Sequence, residues 1–282
     1  MVCYAESEIS FSLKSSERRV KLMPELPDLE VFKENIFNRL TSKRLVGVEV
    51  FNRDKMITPK QFLIDELAGR DLLRINRVGK ELRFDFGGGK VVGAHLMLNG
   101  VTSIVAEEAV GEVKHKIFSM QFERETVVFS DKGGLCTVKY KPPAGRAPDA
   151  FDDAFTWDYF LGAARRNALA IVKLFLIDQS VVKGIGNAYA DEILWVARIS
   201  PHSLAGRIPE DKLALLYQAI RPVLNDAIAS IKRISPDRIS GEVRSFLKVH
   251  NKEISKTETG YPIIIERIAS KITYYTEEQT MY

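Results

Sequence analysis

The run Lys141-Pro142-Pro143-Ala144-Gly145-Arg146-Ala147-Pro148 divides this 282-residue chain into two unlike halves. Three prolines and a glycine in eight residues can continue neither a helix nor a central strand. Before it, Leu29, Phe32, Ile36 and Leu40 recur at three- and four-residue steps and predict a helix from Pro27 to about Leu40. Pro27 suits a first helical turn and Asp28 complements its dipole. Short strand-like runs follow: Leu45–Phe51, Leu72–Val78, Glu81–Phe86, Val91–His95, Ile117–Phe122 and Thr126–Ser130, with Gly87-Gly88-Gly89 as a turn. Many short strands with such punctuation predict an antiparallel sandwich. After the linker the pattern is helical from about Trp157 to Lys232, broken at Lys183–Asn187 and near Pro201. From Val249 to Tyr282 it turns strand-like again, which a β-hairpin satisfies most economically. The fold class is α+β.

Bulk properties narrow the function only a little. Lys and Arg number 41 against 37 Asp and Glu, a net charge of +4 that is compatible with a polyanionic partner without requiring one. Cys3 and Cys136 cannot build a disulfide framework, so a reducing compartment is expected. The four histidines, His95, His115, His202 and His250, show no ligand spacing, and neither a metal nor a cofactor is expected. No apolar run is long enough to span a bilayer. The first 22 residues carry early acidic residues and no long apolar stretch, which is not a secretory signal. They read as a leader produced by an upstream start codon, with residues 1–23 absent from the active protein.

Met23-Pro24-Glu25-Leu26-Pro27 gives that leader its importance. If Pro24 is the first residue, its nitrogen is a secondary amine able to attack an electrophilic carbon. An α-amine titrates near ~8 and a lysine near ~10.4, so far more of the former is nucleophilic at neutral pH. The iminium formed at a sugar C1′ cannot be neutralised by loss of an N–H proton, which makes it a strong electron sink. Glu25 beside it suits general acid/base work. Taken alone, Pro24 reads more readily as an ordinary proline before a helix. Lys80, after Gly79 at a strand–strand bend, could neutralise a phosphate or be a solvated turn lysine. In Lys183-Gly184-Ile185-Gly186-Asn187, glycines before a helix start expose backbone amides to an anion, or simply make a tight connection.

Together these segments resemble the formamidopyrimidine-DNA glycosylase/endonuclease VIII family, in the family's order and over nearly all of Met23 to Tyr282. Pro24-Glu25-Leu26-Pro27 is similar to its N-terminal motif and Lys80 to its post-glycine lysine. His95-Leu96-Met97-Leu98-Asn99-Gly100 is similar to its His-Leu loop, and Asp178–Leu194 to its helix–two-turn–helix motif. The resemblance implies a two-layer β-sandwich joined by a linker to a helical domain with a C-terminal finger. It implies domains at 24–140 (catalytic sandwich), 141–150 (linker), 151–248 (DNA-binding helices) and 249–282 (finger). Pro24 would form a Schiff base at C1′ of a flipped-out nucleotide, and Glu25 would protonate the sugar oxygen and shuttle protons through β- and δ-elimination. Lys80, Asn187 and Lys173 would hold phosphates around the lesion.

Departures from the family pattern are as informative. Its zinc finger aligns four cysteines with Lys256, Thr259, Thr276 and Gln279, no plausible zinc set, so the finger resembles the family's zincless type. Packing by Ile263, Ile265, Ile268 and Tyr275 would have to hold it. The finger arginine that grips the lesion phosphate falls at Lys271, with Arg267 as the alternative; a lysine lacks the bidentate fork. Purine-directed members fill the flipped nucleotide's void partly with Arg and Phe from a second loop, which here reads Asp131-Lys132-Gly133-Gly134-Leu135-Cys136. The expected wedge is therefore Met97, Leu98 and Asn99, with His95 at the loop's start. Asp28 stands where the family has Glu. The expected function is a monomeric DNA glycosylase with AP-lyase activity on damaged double-stranded DNA, located with the chromosome in the cytoplasm of a bacterial-type cell. The competing reading is a non-catalytic DNA-binding protein on the same scaffold.

Overall fold

The computed structural model describes residues 23–282. The expected leader therefore falls, except for Met23, outside the described residues. Helix α1 (Leu26–Leu40) opens the fold and buries Leu26, Leu29, Phe32, Ile36 and Leu40 along one stripe. Eight strands follow: β1 (Leu45–Val50), β2 (Arg74–Val78), β3 (Glu81–Asp85), β4 (Val91–His95), β5 (Val101–Val105), β6 (Lys116–Phe122), β7 (Thr126–Ser130) and β8 (Thr137–Tyr140), with α2 (Lys60–Leu67) after β1. They form two four-stranded antiparallel sheets, ordered β1-β6-β7-β5 and β2-β3-β4-β8. Phe84 of one sheet meets Phe129 of the other edge to face at 5.8 Å, both fully enclosed. Leu63 and Leu67 pin α2, eight residues long, to the same core.

The helical half contains α3 (Trp157–Arg166), α4 (Val172–Ile177), α5 (Asn187–Val196) and α6 (Glu210–Ile234). Thr156 caps α3 by accepting the Tyr159 N–H at 3.2 Å. β9 (Ile264–Ile268) and β10 (Lys271–Tyr275) make the terminal hairpin. The helix expected from Trp157 breaks once more than foreseen, between α3 and α4, and α2, β5 and β8 were not foreseen. These elements are short, and their stability comes from packing that local periodicity does not record.

Two features set the position of the site. Leu26, the first residue of α1, belongs to the core of the helical half, not the sandwich core that holds the rest of that helix. Further along, Val31 packs with Ile231 and Val243, and Asn35 Nδ2 donates to the carbonyls of Pro236 (2.6 Å) and Arg238 (2.8 Å). The start of α1 is thus wedged between the two halves.

Candidate active site at the seam

Pro24 is buried at this seam, directly ahead of α1. Glu25 is the N-cap of α1 in a reciprocal capping box with Asp28, whose Oδ2 accepts the Glu25 N–H at 2.9 Å. The Glu25 carboxylate also reaches into the helical half. Its Oε1 accepts the Ala188 N–H at 3.0 Å, and its Oε2 accepts that of Tyr189 more distantly at 3.4 Å. Glu25 is therefore held at the N-terminus of α5 by backbone donors as well as that helix's dipole.

This contact explains the two glycines before α5. A Cβ on Gly186 would lie 2.2 Å from the Glu25 carboxyl carbon. At Gly184, φ is +100° and an added Cβ would lie 2.6 Å from Leu26 Cδ1, while its carbonyl accepts the Leu26 N–H at 3.1 Å. The Gly184–Asn187 segment is shaped to receive Glu25 and Leu26.

Asp28 is fully enclosed and receives the guanidinium of Arg244 through two bonds, 2.9 Å to Oδ1 and 2.7 Å to Oδ2. The same guanidinium lies over the Tyr189 ring at 5.1 Å. Arg244 thereby neutralises the enclosed Asp28 carboxylate. Nothing in the sequence marked Arg244, because its partner is 216 positions away.

Lys80 occupies the β2–β3 turn. Arg77 fixes that turn by pairing with Asp149 and Glu30, and the Gly79 N–H donates to Asp149 at 2.8 Å. Desolvation pushes the Lys80 ammonium below the ordinary lysine range; Glu25 opposes this, Lys271 reinforces it, and Glu242 and Arg244 act in opposite senses. Lys271, exposed at the start of β10, lies on the same strand face as Thr273, which meets Lys173, whereas Arg267 is paired with Ile272 on the opposite face. His95 accepts the Met97 N–H at Nδ1 (3.2 Å), and burial pushes its pKa down to about 4, with Lys80 and Lys139 adding to the effect. It is neutral at physiological pH.

The expected wedge divides. Met97 holds a left-handed backbone (φ 55°) and carries Leu98 to the apex of the loop, exposed. Asn99 turns the other way: its Nδ2 is buried beside Gly133 and has no partner. The second loop is tied by Asp131, which accepts the N–H groups of Gly133, Leu135 and Cys136, and it leaves Leu135 exposed. Each loop thus leaves one leucine exposed.

Lys173 requires correction. It is fully enclosed, its Nζ lying 2.7 Å from Asp191 Oδ1 and donating to Ile272 O (3.0 Å) and Thr273 Oγ1 (2.8 Å). No phosphate can reach it in this arrangement; it binds the terminal hairpin to α4 and α5. Asn187 shares that task, with Nδ2 donating to Ile272 O at 2.8 Å while its Oδ1 stays unpartnered. The account of the hairpin also changes, because Ile265 is exposed and only Ile268 of the four proposed residues is buried. In place of apolar packing there is a polar knot around Glu278, whose Oε2 accepts from Thr259 (2.8 Å), Thr276 (3.2 Å) and Trp195 (3.2 Å) while Oε1 pairs with Arg198 (2.8 Å). Gln279 Oε1 accepts the Thr276 N–H at 2.9 Å. Three of the four positions aligned with zinc ligands thus meet each other through Glu278 and the chain around it.

An antiparallel sandwich joined to a helical half, with Glu25 of one clasped by the glycine-led start of α5 in the other, is the two-part arrangement of a DNA glycosylase. The formamidopyrimidine-DNA glycosylase N-terminal domain model matches residues 23–138, and the corresponding helix–two-turn–helix domain model matches residues 146–238. The chain belongs to the formamidopyrimidine-DNA glycosylase family. It is 33% identical over 217 residues to the Chloroflexus aggregans formamidopyrimidine-DNA glycosylase, covering 74% of this chain and 78% of that protein. With the Lactococcus lactis protein of that name it shares 27% over 267 residues, or 90% of this chain and 97% of the relative. A crystal structure of a Lactococcus lactis variant bound to Fapy-dG-containing DNA superposes with a TM-score of 0.80 at 25% identity, covering 91% of this chain and 99% of that one.

Proposed function

We propose that this protein is a bifunctional glycosylase and AP lyase that removes oxidised bases from double-stranded DNA. The observation that carries the reading is the clasp on Glu25: a carboxylate next to Pro24, fixed by backbone donors from the opposite half of the molecule. In a chain beginning at Pro24, the secondary amine attacks C1′ of the extruded nucleotide. Glu25 protonates the ring oxygen as its bond to C1′ breaks, the damaged base departs with its bonding pair and takes up the proton that the proline nitrogen sheds, and the ring-opened sugar is left as an iminium on the proline. Removal of a C2′ proton expels the 3′ phosphate, and a second elimination expels the 5′ phosphate; water then releases the sugar fragment and restores the amine. Lys80 and Lys271 supply positive charge for the phosphates flanking the lesion, with Asn187 beside them at the start of α5. Lys271, on the strand face that Thr273 presents to Lys173, suits the finger's role better than Arg267 on the opposite face. Leu98 and Leu135 supply apolar surface for the gap left by the extruded nucleotide.

No helix among the described residues is long and apolar enough to cross a membrane. A damaged-DNA substrate supports a location with the chromosome, in the cytoplasm of a bacterial-type cell. Borohydride reduction tests the chemistry: protein beginning at Pro24 should become covalently attached to a duplex carrying an oxidised base or an abasic site. Binding without attachment on every such duplex would favour the non-catalytic alternative.

A further inference from the structure

Two loops cross the same end of the sandwich side by side. Residues 96–100 lead from β4 to β5, and residues 131–136 lead from β7 to β8. Strand register makes them neighbours: His95 pairs with Thr137 at one end, and Val101 pairs with Ser130 at the other. Each loop is tied tightly within itself. The Gly100 N–H donates to Leu96 O at 2.8 Å, and a Cβ on Gly100 would lie 2.2 Å from that oxygen. In the second loop the enclosed Asp131 gathers the N–H groups of Gly133, Leu135 and Cys136 at 2.6, 2.6 and 2.7 Å.

Between the loops a bond is missing. Asn99 Nδ2 is sealed from solvent against Gly133 and donates to nothing. A Cβ on Gly133 would lie 2.7 Å from that nitrogen and 3.3 Å from Asp131 Oδ1, so the amide and the carboxylate flank one point. A carboxylate offers about four acceptor positions, and the three backbone donors leave Asp131 with one of them free. An enclosed amide without a partner is costly. Neither water nor DNA reaches the sealed nitrogen, whereas Asp131 meets it once the loops draw together, and glycine at 133 keeps the path clear. Resting on the glycosylase reading of this site, we infer that Asn99 is a positioning residue that donates to Asp131 Oδ1 when Leu98 enters the duplex, locking the two loops into one wedge. Leu98, the exposed residue just before Asn99, is of the apolar kind that enters and unstacks base steps. A bond made only in the inserted state shifts the balance towards extrusion by its full worth.

Extrusion is followed in the form of the protein that is active in borohydride trapping. The probe is stopped-flow fluorescence of 2-aminopurine placed beside 8-oxoguanine or 5-hydroxyuracil in a duplex. Asn99→Leu keeps the size of the side chain and removes the donor. It should slow the fluorescence rise by about tenfold or more, since hydrogen bonds to charged groups are the strong ones. The free variant should melt at the same temperature as wild type or higher, because apolar atoms replace an unpartnered buried amide. In a Leu98→Ala background, with no wedge to lock, the further loss from Asn99→Leu should shrink below about twofold. Gly133→Ala places a methyl in the gap and should repeat the slow extrusion of Asn99→Leu. Extrusion at the wild-type rate by Asn99→Leu would overturn the inference. So would an undiminished defect in the Leu98→Ala background, which would make Asn99 itself the group that enters the duplex. Slow extrusion together with a lowered melting temperature would also overturn it, since the bond would then already hold the free protein. Failure of the glycosylase reading itself is distinct: wild type would neither change the fluorescence nor form a trapped adduct.

Discussion

Pro24 and Glu25 depend on residues that contact them from far away in the sequence. Glu25→Gln keeps an oxygen for the Ala188 and Tyr189 N–H groups but removes the proton donor. Base release should fall by about 10²–10⁴-fold, with DNA affinity retained, as measured by single-turnover kinetics and binding of the same duplex. Arg244→Met would leave Asp28 enclosed without its cation, a change of about 3–5 kcal/mol that denaturant unfolding would detect. His95 gives a pH signature. Its pKa is depressed from 6.5 to about 4, so the native state stays unprotonated while the unfolded chain binds a proton as pH falls below 6.5. Stability contributed by neutral His95 is therefore full above 6.5 and lost progressively down to pH 4. Melting temperatures at pH 7 and pH 5 should differ less in His95→Gln than in wild type. Pro24, Glu25, Lys80 and the His95 loop were legible because each is a local motif. Arg244 was not, since its meaning lies in Asp28, 216 positions away, a distance no periodicity reports.

Among the elements, the α4–α5 connection and the terminal hairpin carry the tightest constraints. Gly186→Ala adds one methyl where 2.2 Å separates its position from the Glu25 carboxyl carbon. Glu25 must move off the α5 N-terminus, and base release should drop sharply while circular dichroism and melting change little by comparison. A fold-wide collapse would show instead that Gly186 serves the helix pair and not the carboxylate. The hairpin was legible as two strands, and its lack of a cysteine set was plain. What holds it was not legible, because the aligned threonines and glutamine act through Glu278, a residue outside the motif. Lys173 was misread for a related reason: a lysine near a DNA-binding motif suggests phosphate, but this one is spent on Asp191 and the β10 backbone. Lys173→Met should cost about 3–5 kcal/mol and loosen the hairpin, seen as early proteolysis within residues 256–280.

At the scale of the whole molecule, the last strand of the sandwich ends at Tyr140 and the first helix of the other half begins at Trp157, on either side of the Pro-rich run. The sequence did not show that α1 belongs to both halves, with Leu26 in one core and Leu29 in the other. That arrangement makes the site a property of the assembled chain, so neither half should release a base alone. Binding of the full molecule to duplex DNA should weaken steeply as salt rises, because phosphate neutralisation releases counterions. Replacing Lys271 with Gln should make that salt slope shallower by about one unit, measured by fluorescence anisotropy at several salt concentrations.

The central claim is that Pro24, once it is the first residue, forms a covalent bond to damaged DNA. Incubating protein that begins at Pro24 with a duplex carrying a single abasic site, in the presence of sodium borohydride, measures that bond directly. A protein–DNA adduct is predicted, with mass spectrometry placing the modification on Pro24. Absence of any adduct, or an adduct on a lysine with Pro24 unmodified, would contradict the account.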